Sequence, residues 1–248
     1  MKTLLQCGTI LLCIVGLNVS AAAKEITVVA MNSFQPFVFS DANGEPTGIA
    51  VSVVTTLLEQ ADIKAGPITL YPLRRMMTLV SKEPNTLGFA LFRNPKREHL
   101  YKWIVPVTLP VKSVLIRLKS RSDITVNTLE DAKHYLIGVV DGNNLHTFLK
   151  AAGFEDLDPV STNDLNYKKL LAGRIDLFLT REPSVLTEFR QLGYSLDNII
   201  VALQVRDDGP AWLVANLQTP EDVIAKLKTA YEKIKNEQLI EKITKKYY

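Results

Sequence analysis

The 248-residue sequence predicts an α/β protein made of two successive α/β units. Strand-like runs of β-branched and apolar residues alternate with segments whose apolar residues recur at helical spacing, which favours mostly parallel sheets covered by helices. The composition is that of a folded protein of average polarity, with 47% hydrophobic and 22% charged residues. These values exclude a disordered tail, a collagen and a multi-pass membrane protein.

Charge and motif content argue against several partners. The formal net charge of +3 produces no strong field for nucleic acid or anionic lipid. The sequence contains no glycine-rich phosphate loop, no nucleophile elbow and no basic-aromatic stripe. His99, His134 and His146 have no partner at metal-ligand spacing, so we expect them to be surface or cap residues. We therefore expect no cofactor, no metal and no nucleic-acid partner.

Residues 1–23 have the three parts of a secretory signal peptide. Lys2 supplies the positive start, residues 11–17 the apolar centre, and residues 21–23 three alanines for cleavage before Lys24. Polar residues keep the apolar run below the roughly 18–20 residues that a membrane-spanning helix needs. The sequence therefore predicts cleavage and export to the periplasm.

Both cysteines, Cys7 and Cys13, lie in this leader. The two leucines before Cys13 do not fit a lipoprotein signal, so we do not expect lipidation. Removal of the leader leaves no cysteine. We expect a mature protein without disulfides, thiol nucleophiles or cysteine-bound metal.

The first α/β unit follows the leader. A turn is expected at residues 41–44, between the first strand and the first helix. The alternating strands and helices are expected at residues 26–30, 48–60, 67–71, 73–81 and 87–92.

The second unit occupies about residues 112–205. Its expected strands are residues 113–118, 136–140 and 175–179. Three helices are expected: one opens at residues 128–131, a second runs to Ala151, and a third spans 164–172 with Gly173 as C-cap. The tail returns as a strand at 212–217. A long helix follows, with Thr219 expected as N-cap and Pro220 in its first position.

Three stretches together carry a resemblance. They are residues 33–48 (SFQPFVFSDANGEPTG), 93–98 (RNPKRE) and 173–177 (GRIDL). In this order and spacing the sequence resembles the family 3 extracellular solute-binding proteins, the periplasmic components of polar amino-acid ABC transporters. The resemblance covers essentially all of residues 24–248.

The resemblance implies a type II periplasmic binding protein-like fold with two mixed sheets flanked by helices. Lobe 1 would comprise residues 24–106 and 211–248, and lobe 2 residues 112–205. The two proline-marked joints, about 107–111 and 206–210, would be the hinge crossings. Such a protein is expected to be a monomer that closes around its ligand and delivers it to an inner-membrane permease.

The resemblance also assigns binding residues. Arg97 matches the family arginine that binds a ligand carboxylate, and Phe34 the aromatic that stacks on the ligand. Asn143 stands where relatives often carry a threonine at a helix start. By residue type alone, Arg97 could be a surface arginine, Phe34 a core residue and Asn143 an ordinary N-cap.

Two departures from the family pattern bear on the ligand. Arg181 replaces the aspartate that would pair with a ligand ammonium, and Phe92 replaces a small hydroxyl residue. Arg75 is either a further cleft residue or an exposed helix arginine. We therefore expect a small anionic or carboxylate-bearing ligand rather than an ordinary α-amino acid.

Two other functions stay open at this point. The protein could present its ligand to a membrane sensor instead of a permease. It could also be a dehydratase of cyclic carboxylates, a reaction for which Glu182 and Asp141 are the available acids. We favour binding without catalysis, since neither acid lies in a recognisable catalytic motif.

The leader generates the first testable prediction. We expect the protein isolated from the periplasm to start near Lys24 and to carry no lipid, because the three alanines precede that residue. Intact-mass analysis of the periplasmic fraction measures this. A retained leader or an acylated Cys13 would contradict the prediction.

Overall fold

The structure is a computed structural model that describes residues 25–247, so the expected signal peptide at 1–23 lies outside the described residues. The strands are β1 (Thr27–Met31), β2 (Phe39–Ser40), β3 (Pro46–Thr47), β4 (Thr69–Tyr71), β5 (Thr86–Leu91), β6 (Lys102–Pro106), β7 (Val111–Leu118), β8 (Ile137–Val140), β9 (Leu157–Val160), β10 (Leu177–Arg181), β11 (Ile199–Gly209) and β12 (Trp212–Ala215). The α-helices are α1 (Ile49–Gln60), α2 (Leu73–Lys82), α3 (Asn144–Ala151), α4 (Asn163–Leu171), α5 (Glu182–Gln191), α6 (Glu221–Asn236) and α7 (Leu239–Thr244).

Lobe 1 is built on a five-stranded mixed sheet in the order β4-β1-β5-β12-β6. Strand β1 runs parallel to β4 and β5, whereas β12 runs antiparallel to β5 and β6. Helices α1, α6 and α7 share one core cluster with the sheet, and α2 contributes Met76 and Val80 to another. Because helices cover both faces of the sheet, every residue of β5 is buried.

Lobe 2 repeats this design with a sheet in the order β11-β7-β10-β8-β9. Strands β10, β8 and β9 are parallel, and β7 is antiparallel to its neighbours β10 and β11. Helix α3 packs in one core cluster with the sheet, while α4 and α5 pack in another. The two mixed sheets with flanking helices confirm the predicted fold class.

The chain passes between the sheets twice, from β6 to β7 and from β11 to β12. The two crossings are bonded to each other: Val107 N donates to Ala211 O at 2.8 Å, and Ala211 N to Thr108 Oγ1 at 2.9 Å. Residues 206–209, expected as part of a hinge, lie in β11 and pair with β7. Bending at these crossings stays a prediction.

Several element boundaries differ from expectation. Helix α6 starts one residue late, with Pro220 rather than Thr219 as N-cap, because Pro220 has a ψ of 144°, outside the helical region. Asp131 and Thr128 exchange the bonds of a capping box, but they open only a short 3₁₀ helix at Asp131–His134. Gly173 follows the C-cap of α4 with a φ of 64°.

Seven elements were not predicted, namely the strands β2, β3, β6, β9 and β11 and the helices α5 and α7. Strands β6 and β9 contain a proline and lie at sheet edges, where a missing ladder donor is tolerated. Among residues 25–247, no helix combines the length and apolar character of a membrane crossing. The same residues contain no cluster of His, Cys, Asp and Glu that could hold a metal ion.

The GRIDL segment has a structural role in lobe 2. Asp176 accepts bonds from Arg121 Nη1 at 2.9 Å and from Leu136 N at 3.0 Å, which fixes the start of β8 beside β10. Arg121 also binds the exposed Asp123.

We expect Asp176→Ala to lower the free energy of unfolding by about 1–2 kcal/mol, because two partners lose their acceptor. Denaturant titration followed by circular dichroism measures this. Asp123→Ala is the matched control and should cost much less than Asp176→Ala, since that pair is exposed. Equal losses in both variants would contradict the assigned role.

Candidate ligand-binding site

A cavity of about 40 Å³ lies between the lobes. On that scale one water needs roughly 10–15 Å³, so the arrangement leaves room for only a few atoms. Lobe 1 contributes Met31, Ser33, Phe34, Leu73, Ala90, Leu91, Phe92 and Arg97, and lobe 2 contributes Val140, Asn143, Asn144, Leu145, Asn163, Leu179, Thr180 and Arg181. This space is smaller than a solute of ordinary size.

Arg97 is buried in the wall of this cavity, with only 6% of its surface exposed. Its backbone N–H donates to Asn94 Oδ1, which holds the turn between β5 and β6. Its Nη2 donates to Gly142 O of lobe 2 at 2.9 Å. Among the described residues, no carboxylate lies within ion-pair distance of this guanidinium.

The electrostatic consequence is a buried cation whose charge the surrounding protein leaves unbalanced. Burial lowers the pKa of Arg97 from its ordinary value. An arginine remains protonated near neutral pH even so. The alternative that Arg97 is a solvated surface residue is wrong, because the side chain points inward between the lobes.

Asn143 is the N-cap of α3 and also lines the cavity. Its Oδ1 accepts from His146 N at 2.8 Å, so the ordinary capping role is confirmed. His146 is buried rather than on the surface, because its Nδ1 accepts from Gly142 N in the same turn. Burial also lowers the pKa of His146. Ligand contact by Asn143 stays a prediction.

Arg181 lines the cavity from the end of β10 and is 5% exposed. Its guanidinium carbon lies 3.7 Å from the centre of the Phe92 ring and 5.5 Å from that of Phe34. Its Nη2 donates to Asn144 Oδ1 at 2.6 Å. Burial lowers the pKa of Arg181 to about 10.

The charge of Arg181 is balanced by Asp208, which the sequence analysis did not identify. Arg181 Nε lies 3.3 Å from Asp208 Oδ2, close enough for an ion pair although not aligned as a hydrogen bond. The Asp208 side chain has 0% exposure and also accepts from Arg206 and Ser113. A β-bulge between residues 207 and 209 places Asp208 there. Arg181 is therefore not a second unpaired cation.

Two phenylalanines form the aromatic wall. The Phe34 and Phe92 rings meet edge to face at 6.0 Å, and both are buried in the lobe 1 core as well as lining the cavity.

The backbone of β5 is irregular beside the cavity. Ala90 of β5, the strand between β1 and β12, has a φ of 61°, which is unusual for a residue with a Cβ atom. The β5–β12 register shifts beside it, so the strand leaves the regular pattern where it meets the cavity.

Arg75 does not line the cavity. Its side chain is exposed and lies over the Tyr71 ring, 4.8 Å from the centre, because the buried face of α2 is that of Met76 and Val80. Its neighbour Arg74 reaches across the cleft instead, with Nη2 2.9 Å from Asp141 Oδ2. Of the two alternatives for Arg75, the structure therefore shows the exposed helix arginine, and its place among the candidate ligand-binding residues is corrected.

The two candidate acids of the dehydratase alternative lie elsewhere. Glu182 is exposed at the start of α5 and faces a groove beside Leu109 and Pro110. Asp141 is paired with Arg74 at the edge of the cleft. Neither residue lines the cavity.

Solved structures of low sequence identity share this fold over nearly the whole chain. The arginine-, lysine-, histidine-binding protein ArtJ of Geobacillus stearothermophilus is 15% identical, with a TM-score of 0.77, covering 91% of this chain and 95% of its own. A histidine kinase sensor domain similar to periplasmic binding proteins is 17% identical, with a TM-score of 0.78 and coverages of 90% and 96%. AncCDT-1, an ancestral amino acid-binding protein described as a precursor of cyclohexadienyl dehydratase, is 15% identical, with a TM-score of 0.76 and coverages of 90% and 95%.

These likenesses define the class: a two-lobed binding-protein fold with its cavity between the lobes. The family model of the bacterial extracellular solute-binding proteins, family 3, matches residues 26–248. The chain belongs to that family, which confirms the predicted resemblance. No curated protein sequence matches it significantly.

The buried Arg181–Asp208 pair generates a stability prediction. We expect Asp208→Ala to lower the free energy of unfolding by about 3–5 kcal/mol, because it leaves the Arg181 charge buried without a partner. Asp207→Ala is the control, since that neighbour is exposed, and it should stay within about 0.5 kcal/mol of the wild type. Urea titration measures both. A loss for Asp208→Ala no larger than the control would contradict the pairing.

Proposed function

We propose that this protein is an exported solute-binding protein that captures a small carboxylate-bearing ligand by closure of its lobes and passes it to an ABC-type permease. The observation that carries the proposal is Arg97, a guanidinium buried between the lobes with no carboxylate beside it. A buried charge is costly unless an opposite charge and hydrogen bonds compensate it. A ligand carboxylate supplies both.

The surroundings of Arg97 suit an anion. The guanidinium offers further N–H donors beyond the one that binds Gly142 O. The amino-terminal end of α3 lies across the cavity at Asn143 and Asn144, where the helix dipole favours negative charge. Removing one partner of a buried charge pair typically costs about 2–5 kcal/mol, a large part of the about 8 kcal/mol that corresponds to micromolar binding.

The site gives a ligand ammonium little to bind. No aspartate or glutamate is among the residues that line the cavity, and the position expected to hold one carries Arg181. Phe34, Phe92, Leu91 and Leu145 make most of the remaining wall apolar. Asp208 pairs with Arg181 but also with Arg206, so Arg97 is the cavity arginine that lacks a carboxylate partner altogether among the described residues.

Membership of an extracellular family supports the export that the leader sequence predicts. Transport and sensing share this fold, since a histidine kinase sensor domain is among the similar structures. We favour delivery to a permease, with presentation to a membrane sensor as the second candidate. Genes for a permease or a sensor kinase beside this gene would separate the two.

Binding is favoured over catalysis because the cavity lining lacks a carboxylic acid. A dehydratase of the kind descended from proteins such as AncCDT-1 would need a proton donor in contact with its substrate. Neither Glu182 nor Asp141 has that position. Release of water from a cyclic carboxylate by the purified protein would contradict this part of the proposal.

The ligand class is testable by thermal shift. At one hundred times its Kd, a ligand should stabilise the protein by about 2.7 kcal/mol. That corresponds to a rise of about 5–10 °C in Tm for a chain of this size. The panel should contain monocarboxylates, dicarboxylates, cyclic acids, amino acids and neutral sugars, and the carboxylates without an amine should give the largest rises.

Arg97→Ala should abolish these rises, because the carboxylate loses its charge partner. Arg75→Ala is the matched control, since Arg75 is exposed on the same lobe and should leave them unchanged. Isothermal titration of the best compound gives the affinities. Tight binding of lysine, arginine or a neutral sugar to the wild type, or full binding by Arg97→Ala, would contradict the proposal.

A further inference from the structure

Glu188 is a buried carboxyl at the contact between the lobes, outside the cavity lining. It lies on α5 and is 2% exposed. Its Oε1 accepts from Gln35 N of lobe 1 at 3.0 Å and from Asn163 Nδ2 at 3.2 Å. Its Oε2 is buried without a hydrogen-bond partner.

The same turn of lobe 1 is held at a second point. Ser184, one helical turn before Glu188, donates from Oγ to Gln35 O at 2.6 Å. Both backbone groups of Gln35 are therefore bonded to α5 when the lobes meet. Gln35 directly follows Phe34, which lines the cavity, and Asn163 lines it from the other side. The Glu188 contact thus connects lobe closure to the position of the cavity walls.

The bonds from Asn163 Nδ2 and Gln35 N favour the charged form of Glu188, but the burial of the carboxyl outweighs them. The groups of α4 that face it are the Asn163 amide, the Asp164 carboxylate and the Tyr167 hydroxyl, and the lobe 1 turn contributes the Gln35 amide. No cation lies within ion-pair distance among the described residues. Burial, reinforced by Asp164, raises the pKa of Glu188 to about 8.

We propose that Glu188 is a proton-carrying latch: the lobes close with its carboxyl protonated, and closure fixes the Phe34–Gln35 turn over the cavity. The neutral carboxyl still accepts from Gln35 N and Asn163 through Oε1, and it removes the unbalanced charge from the contact. Glu188 acts on the ligand site only through Gln35 and Asn163, so it is a positioning residue. The latch rests on the lobe closure of the proposed function but not on the identity of the ligand.

The direction of the pH effect follows from the two environments. When the lobes separate, the carboxyl meets water and its pKa falls back toward the ordinary 4.5. Below about pH 4.5 it is neutral in both states, and closure is unhindered. Between that pH and about 8, closure requires proton uptake and becomes up to tenfold less favourable per pH unit. Above about pH 8 the penalty is constant.

Small-angle scattering of the ligand-free protein across this pH window tests the latch. The wild type should be most compact at the acid end and expand as the pH rises, because separation frees the carboxylate. Glu188→Gln keeps a neutral side chain of the same shape and should remain compact, with no pH course. Glu182→Gln, an exposed change on the same helix, should behave like the wild type.

Ser184→Ala separates a charge effect from a general loss of contact. It removes the other bond to Gln35 and should expand the protein while keeping the pH course. A wild-type radius that does not change with pH, or a pH course that persists in Glu188→Gln, would overturn the latch. The thermal-shift panel tests carboxylate binding independently of the latch, so failure of the latch would leave the proposed function intact.

Discussion

The two lobes meet around the Arg97 guanidinium, which is buried and has no carboxylate of the described residues beside it. Its bond to Gly142 O ties lobe 1 to the first turn of α3, yet a backbone carbonyl does not neutralise a full positive charge. The arrangement therefore leaves a buried positive charge without a partner among the described residues. In the proposed function, a ligand carboxylate supplies that partner when the lobes close.

The other two arginines between the lobes each have a carboxylate partner. Asp208 pairs with Arg181, and the Phe92 ring covers the Arg181 guanidinium, with its carbon 3.7 Å from the ring centre. Asp141 neutralises Arg74 at the cleft edge. The second uncompensated group is Glu188, whose charge disappears by protonation instead of pairing, since burial raises its pKa to about 8. Only Arg97 can neither pair within the described residues nor lose its proton near neutral pH.

The sequence was informative wherever local pattern decides structure. Helical spacing located α1, α2 and α6, and the RNPKRE segment located Arg97, which the structure buries between the lobes. The sequence analysis did not identify Asp208 or Glu188 as site residues, because their partners are distant along the chain. Ser113 is 95 residues from Asp208, and Gln35 is 153 residues from Glu188. The sequence did not show whether Arg75 faces the cleft, and in the structure its neighbour Arg74 is the residue that crosses the cleft. Pairing across a topology of two lobes is not encoded in local periodicity.

The most direct test of the central claim is the identity of the small molecules that copurify with the protein. Wild-type protein and Arg97→Ala would be purified in parallel from their host, denatured, and the released molecules compared by high-resolution mass spectrometry. We expect a carboxylic acid that is stoichiometric in the wild type and absent from Arg97→Ala. A neutral or basic molecule released in equal amounts by both proteins would contradict it.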